Sequence, residues 1–215
     1  MNSLLVSITI LTNKPNSVFF QTIASIFSQD FSFEYEVIIV DSASNPVIHG
    51  LINKYPIKFY SIPPNEFNFG LTRDYIFSLT KGEFIVAISQ DVIPAGNDWL
   101  KNLIEPFSDP DIALVQGVVD LPKDQDVFFW EKVGLFYFTR ECKRWASEHN
   151  GIGVSFVNCA IRRSVWEINR LEKIEMMEDK FFQMKLAEGG YKIYRETKAL
   201  CYHGHTYNVS ELIKR

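Results

Sequence analysis

The chain has 215 residues, 47% hydrophobic and 14% aromatic, with a formal net charge of −4. That supplies one sizeable core and excludes a disordered chain, and the acidic balance excludes the basic field that nucleic acid requires. Cys142, Cys159 and Cys201 lie far apart without C-x-x-C spacing, so they read as reduced thiols of a cytoplasmic protein and exclude a disulfide frame or zinc site.

In chain order, "MNSLLVSITILTNKP" is apolar and β-branched but has no basic leader, so it predicts a buried strand over 4–11 and not a signal peptide. Residues 16–29 place Val18, Ile23, Ile26 and Phe27 on one side of a helix, with Pro15 at its start. Apolar runs at 35–40, 57–62 and 83–89 predict three further strands. Those at 35–40 and 83–89 are near-continuous, the mark of parallel strands covered on both faces. Residues 70–80 predict a second helix, stopped by Lys81-Gly82. This alternation over residues 1–120 predicts an α/β fold with an open, mostly parallel sheet and helices on both faces. Beyond it, residues 126–149 predict a helix with Phe129, Val133, Phe136 and Tyr137 near one face. Core packing is the first use of such a stripe and acceptor binding the second. No apolar run reaches the ~18–20 residues of a bilayer span, so any membrane contact is expected to be peripheral. No repeat or Gly/Ser linker divides the chain.

Ligands of open α/β sheets bind beyond the carboxyl ends of the strands. The first strand ends in Leu11-Thr12-Asn13, the second in Asp41-Ser42-Ala43-Ser44 and the fourth in Gln90-Asp91. One such group reads equally well as a turn residue or a cap; three on one edge point to a polar ligand site. Glu178-Asp179 open a helical segment, where acids suit the macrodipole. Asp179, Phe182 or Gln183, and Leu186 also share one side, so the acid can face a cleft while the helix packs behind it. His203 and His205 flank Gly204, and i, i+2 spacing in an extended segment puts both on one face.

These parts resemble an inverting family 2 glycosyltransferase with the GT-A fold, most nearly its bacterial rhamnosyltransferase branch. The likeness rests on "VSITILTNKP" through "YEVIIVDSASNP", on "FNFGLTRDYIFSLTKGEFIVAISQDVIP", on "FVNCAIRRSVWE" and on "MEDKFFQMKLAEGGYKIYRETKALCYHGHTYN". It covers nearly the whole chain and implies one GT-A domain, with a nucleotide-binding half at 1–120 and an acceptor-binding, catalytic half at 121–215. It implies transfer of a sugar, rhamnose in that branch, from a dTDP- or UDP-linked donor to a hydroxyl of a glycan or lipid-linked acceptor. The setting it implies is surface polysaccharide assembly at the cytoplasmic side of a bacterial membrane.

The resemblance also implies roles for residues. Asp91 and His203 would hold Mg²⁺ or Mn²⁺, and His205 would contact a phosphate or the acceptor. Asp179 would be the base, with Glu178 beside it. Thr12, Asp41, Arg73 and Gln90 fall on nucleotide-binding positions, with Asp41 accepting a hydrogen bond from a pyrimidine base. Gln90 stands where the family usually has an acid, and Asp74 where it usually has Asn after the arginine. Those two departures favour the rival reading, a non-catalytic nucleotide-sugar-binding subunit of a glycan assembly complex; Asp91, Glu178, Asp179 and His203 oppose it. A sugar nucleotidyltransferase would need a Gly-rich phosphate loop after the first strand, and "LTNKPNS" is not one. "ECKRW" (141–145) precedes the Glu-Asp pair, whereas the similar signature of processive synthases follows it.

Overall fold

A computed structural model describes residues 5–43, 47–122 and 153–204. Ser44, Cys142, the aromatic stripe expected at 126–149, the "ECKRW" stretch and His205 lie outside the described residues. The described strands are β1 (Val6–Thr12), β2 (Tyr35–Asp41), β3 (Ile57–Ser61), β4 (Phe84–Ser89), β5 (Val92–Pro94), β6 (Ile112–Asp120), β7 (Asn158–Arg162) and β8 (Lys192–His203). They form one sheet in the order β3-β2-β1-β4-β7-β6-β8-β5. The helices are α1 (Ser17–Phe27), α2 (Val47–Ile52), α3 (Phe69–Ser78), α4 (Trp99–Ile104), α5 (Arg163–Ile168) and α6 (Glu178–Glu188).

Strands β3, β2, β1 and β4 run parallel, as the near-continuous apolar runs predict. β7 then enters antiparallel between β4 and β6, β8 runs parallel to β6, and β5 closes the row antiparallel to β8. Alternation of side chains sends Val37 and Ile39 to one face, with Phe19, Ile23 and Ile26 of α1 and Leu100 and Leu103 of α4. It sends Ile38, Val40, Ile85 and Ala87 to the other, with Ile76 and Phe77 of α3, Trp166 of α5 and Phe182 and Leu186 of α6. The result is a sheet between two helical layers, which leaves its carboxyl edge as the open place for chemistry.

Two helix boundaries differ from the sequence reading for local reasons. α1 is capped by Asn16, whose side chain accepts from the Val18 N–H, so Pro15 lies outside the cap. α3 ends at Ser78, and Lys81-Gly82 is not its stop. Gly82 instead lets the entry to β4 pass close to β1. A Cβ there would sit 2.7 Å from the Ser7 nitrogen, and the Gly82 N–H donates to Ser7 Oγ at 2.8 Å. Among the described residues, no helix is long and apolar enough to cross a membrane.

Candidate active site

The ends of β4 and β8 meet at the carboxyl edge. Val92 pairs with His203 across β5 and β8, which sets Asp91 beside the imidazole, and His203 Nε2 lies 3.1 Å from Asp91 Oδ1. Both side chains are partly open, at 16% and 20% exposure. Gln90 is spent elsewhere: its Oε1 accepts from the Asn13 N–H at 2.9 Å and its Nε2 donates to the Asn13 carbonyl at 3.3 Å. It clasps the loop after β1 to the end of β4, and this amide clasp needs both a donor and an acceptor, which an ionised acid could not supply.

At the ends of β1 and β2, Thr12 Oγ1 donates to Asp41 Oδ1 at 2.6 Å and the Ala43 N–H donates to Oδ2 at 3.2 Å. Asp41 is fully buried, in register with Thr12 on β1 and Ser61 on β3. Beside Ser61 lies a cleft of about 360 Å³, walled by Ile62, Leu71, Thr72 and Tyr75. A larger hollow of about 580 Å³ is lined by Phe31, Phe33, Phe84 and Phe107 and sits at the amino end of β4, away from this edge.

The third component is the start of α6. Met177 occupies the left-handed region (φ 65°, ψ 32°), and the turn it makes leads directly into Glu178. Glu178 points inward, 8% exposed, with Oε1 3.8 Å from Arg73 Nη2. Burial raises the Glu178 carboxyl above its usual value, and the Arg73 charge opposes that rise. Asp179 stays more open, its side chain 20% exposed and 3.9 Å from Lys180 Nζ. Lys180 also donates to the Val154 carbonyl, and the Val154 N–H donates to Gln183 Oε1 at 2.8 Å, so α6 holds the chain that enters β7. Burial pushes the Cys159 thiol below it up to about 12, which keeps it neutral and no nucleophile.

What positions α6 is a clamp on α3 that sequence reasoning missed. Asn68 caps α3 by accepting from Leu71 N–H, and the same Oδ1 accepts from Ile174 N–H at 3.2 Å. Gly70 donates its N–H to the Ile174 carbonyl, and a Cβ at Gly70 would lie 2.0 Å from the Glu172 carbonyl oxygen. Asp74 receives Trp166 Nε1 at 3.0 Å, the Leu171 N–H at 3.0 Å and the fork of Arg170, whose Nη2 is 2.5 Å from Oδ2. The Asp74 departure thus has a structural reason, since a bidentate guanidinium partner calls for a carboxylate. The available signal was Arg170 itself, but 96 residues separate the two. Asp74→Ala should cost about 1–3 kcal/mol in denaturant unfolding, because buried donors lose their acceptor. Asp74→Asn should cost less, about 1 kcal/mol, since it keeps an acceptor for Trp166 and Leu171 and loses only a half-exposed ion pair.

A second missed residue stitches the sheet. Asn158 Oδ1 accepts from Trp99 Nε1, and its amide donates to the carbonyls of Val118 and Ala199, spanning the irregularity between β6 and β8.

Solved structures with this course of chain place the fold in the GT-A glycosyltransferase class. The mannosyltransferase PcManGT from Pyrobaculum calidifontis, solved with GDP-Man and Mn²⁺, has a TM-score of 0.73 at 18% identity, covering 97% of this chain and 59% of its own. Glucosyl-3-phosphoglycerate synthase from Mycobacterium tuberculosis, solved with Mn²⁺ and UDP-Glc, gives 0.70 at 14% identity, covering 97% and 74%. The model of Glycosyl transferase family 2 matches residues 8–168, and the chain belongs to that family. The O-antigen chain rhamnosyltransferase RfbN of Salmonella typhimurium strain LT2 is 30% identical over 192 residues, 84% of this chain and 60% of that protein. WbaN of Salmonella anatum, also an O-antigen chain rhamnosyltransferase, is 27% identical over 188 residues, with the same coverage of 84% and 60%. This chain therefore spans about 60% of the length of these curated relatives. The expected α/β GT-A fold and the family resemblance both hold.

Proposed function

We propose that this chain transfers a sugar, with inversion, from a pyrimidine nucleoside diphosphate to a hydroxyl of a glycan or lipid-linked acceptor in surface polysaccharide assembly. The relatives named O-antigen rhamnosyltransferases support that setting and make rhamnose the first sugar to try. The observation that carries the reading is the contact of Asp91 with His203 at 3.1 Å, at the ends of β4 and β8.

A divalent metal fits the Asp91–His203 donor set. Mg²⁺ and Mn²⁺ at nucleotides take one or two protein ligands and complete their shell with phosphate oxygens and water. Among the described residues, no third His, Cys, Asp or Glu joins the pair, so Asp91 and His203 would hold the ion, with His205 as a phosphate or acceptor contact. When bound, the ion supplies positive charge to the diphosphate as its bond to the sugar breaks. Mn²⁺ in the solved GT-A relatives supports this.

In the proposed reaction the acceptor oxygen bonds to the anomeric carbon as the bond to the diphosphate breaks. The hydroxyl proton passes to Asp179, and the nucleoside diphosphate leaves. Asp41, with Thr12 fixing one of its oxygens, would form the floor of the base site, and the neighbouring cleft at Ser61 and Tyr75 would seat the ring. Calorimetry with UDP and dTDP tests the donor side: binding should be tighter with Mn²⁺ than with chelator. Equal affinity in both would remove the metal from the reading.

A further inference from the structure

We propose that Arg73 is a positioning residue: from beneath α6 it holds Glu178 in place, and through Glu178 sets the carboxylate of Asp179. This rests on Asp179 being the base. Arg73 lies on α3 with 7% of its surface exposed, its guanidinium carbon 5.4 Å from the centre of the Phe156 ring. Its Nε and Nη1 are buried without a hydrogen-bond partner among the described residues. Its facing anion is Glu178 at 3.8 Å, too long for a hydrogen bond and close enough for strong attraction in dry surroundings.

A nine-tenths buried guanidinium with two unpaired nitrogens is poorly placed to reach a nucleotide in an open cleft. It is well placed to pull on the carboxylate above it. The groups that face this pair are Asp179 and Lys180 from α6 and Cys159 from β7, and the thiol is neutral. Among the described residues Arg73 is therefore the one buried cation under the acid pair, with Lys180 at its side engaged to the Val154 carbonyl. The turn at Met177 starts α6 at Glu178, and consecutive residues of a helix point about 100° apart, so the two acids diverge. Glu178 turns down to Arg73, and Asp179 stays partly exposed beside Lys180. The 3.8 Å gap leaves room for the pair to close when the site fills, as catalytic contacts commonly do.

The test uses wild type, Arg73→Met, Arg73→Lys, Glu178→Gln and the double variant Arg73→Met/Glu178→Gln. With donor affinity measured separately, Arg73→Met should lower kcat by about 10–100-fold while donor Kd stays within about threefold, the split expected when positioning and not binding is lost. Arg73→Lys keeps the charge and should recover part of kcat. Adding Glu178→Gln to Arg73→Met should cost about twofold or less, because residues acting as one unit are non-additive. Without the opposing cation Glu178 keeps its proton to higher pH, so the acidic limb of kcat should move to higher pH in Arg73→Met and not in the double variant.

Melting curves give a second reading. The Glu178 carboxyl is raised in the folded state, so stability should fall as pH rises above the unfolded value and through the folded one. The fall should deepen in Arg73→Met and vanish when both charges are removed. If Arg73→Met does not fold, the lysine and double variants carry the comparison. Donor affinity weakened tenfold with kcat intact, or additive losses in the cycle, would overturn the inference and put Arg73 on the nucleotide. A wild type that transfers no sugar from any donor would overturn the proposed function and this inference with it. An active wild type with additive losses overturns the inference alone.

Discussion

Asp179→Asn should bind donor and metal nearly as wild type does and lose turnover by about 10²–10⁴, the usual worth of a positioned proton acceptor. The isosteric amide keeps the size of the side chain and any hydrogen bond to the start of α6, so the helix survives the change. What it cannot do is take the acceptor's proton. Asp179 is the more open of the two acids, with its side chain 20% exposed against 11% for that of Glu178, which favours it as the acid an acceptor hydroxyl would meet in the proposed reaction. Donor affinity by calorimetry and transfer by product formation separate the possibilities. Wild-type turnover in the variant would remove Asp179 from the chemistry. Loss of donor binding in step with turnover would make it part of the nucleotide site.

Asp91→Asn and His203→Ala should each weaken metal-supported donor binding by at least about 10–100-fold, the range that even outer contacts of metal sites command. Their metal-free melting temperatures should stay close to wild type, because both side chains are partly exposed and removing them opens no core cavity. The pairing of Val92 with His203 is made by the backbone and persists in the alanine variant. A large metal-independent loss of stability would show instead that the contact between them staples β8 to the end of β4. His205→Ala should be the milder change, and the reverse ranking would exchange the roles of the two histidines.

The parallel half of the sheet was legible because β2 and β4 are apolar on consecutive residues, a pattern that only a strand covered on both faces requires. β6 carries the same signal in "IALVQGVV" and could have been read from it. β8 was legible only at its end, where "KALCY" leads into His203 as an extended segment. Its first seven residues are largely exposed, and only the stretch from Ala199 onward has the buried pattern that marks a strand. At the site, the strand-end residues Thr12, Asp41, Gln90 and Asp91 follow from where each apolar run stops. The family resemblance joins Asp91 to His203 across 112 residues, but the partnerships of Gln90 with Asn13 across 77 residues and of Asp74 with Arg170 across 96 do not follow, because they are long-range. Periodicity registers which face a residue takes, and is silent on which distant backbone will stand opposite it.

The position of β8 between β6 and β5 has a consequence for how the protein is made. Among the described residues β5 has only β8 as a strand partner, and β8 is the last described strand to leave the ribosome. While residues 92–191 are being synthesised, β5 has no described strand to pair with, and the edge of β6 that β8 will cover is a template for wrong partners. Closing that gap is a non-local, parallel pairing, the slow kind of step in folding. Because His203 ends β8, the same step brings the imidazole to Asp91, so a cation could be captured there only after the sheet has closed. An ion held at that pair would then act as a latch on the late-arriving strand, drawing the nascent chain towards its finished form by mass action.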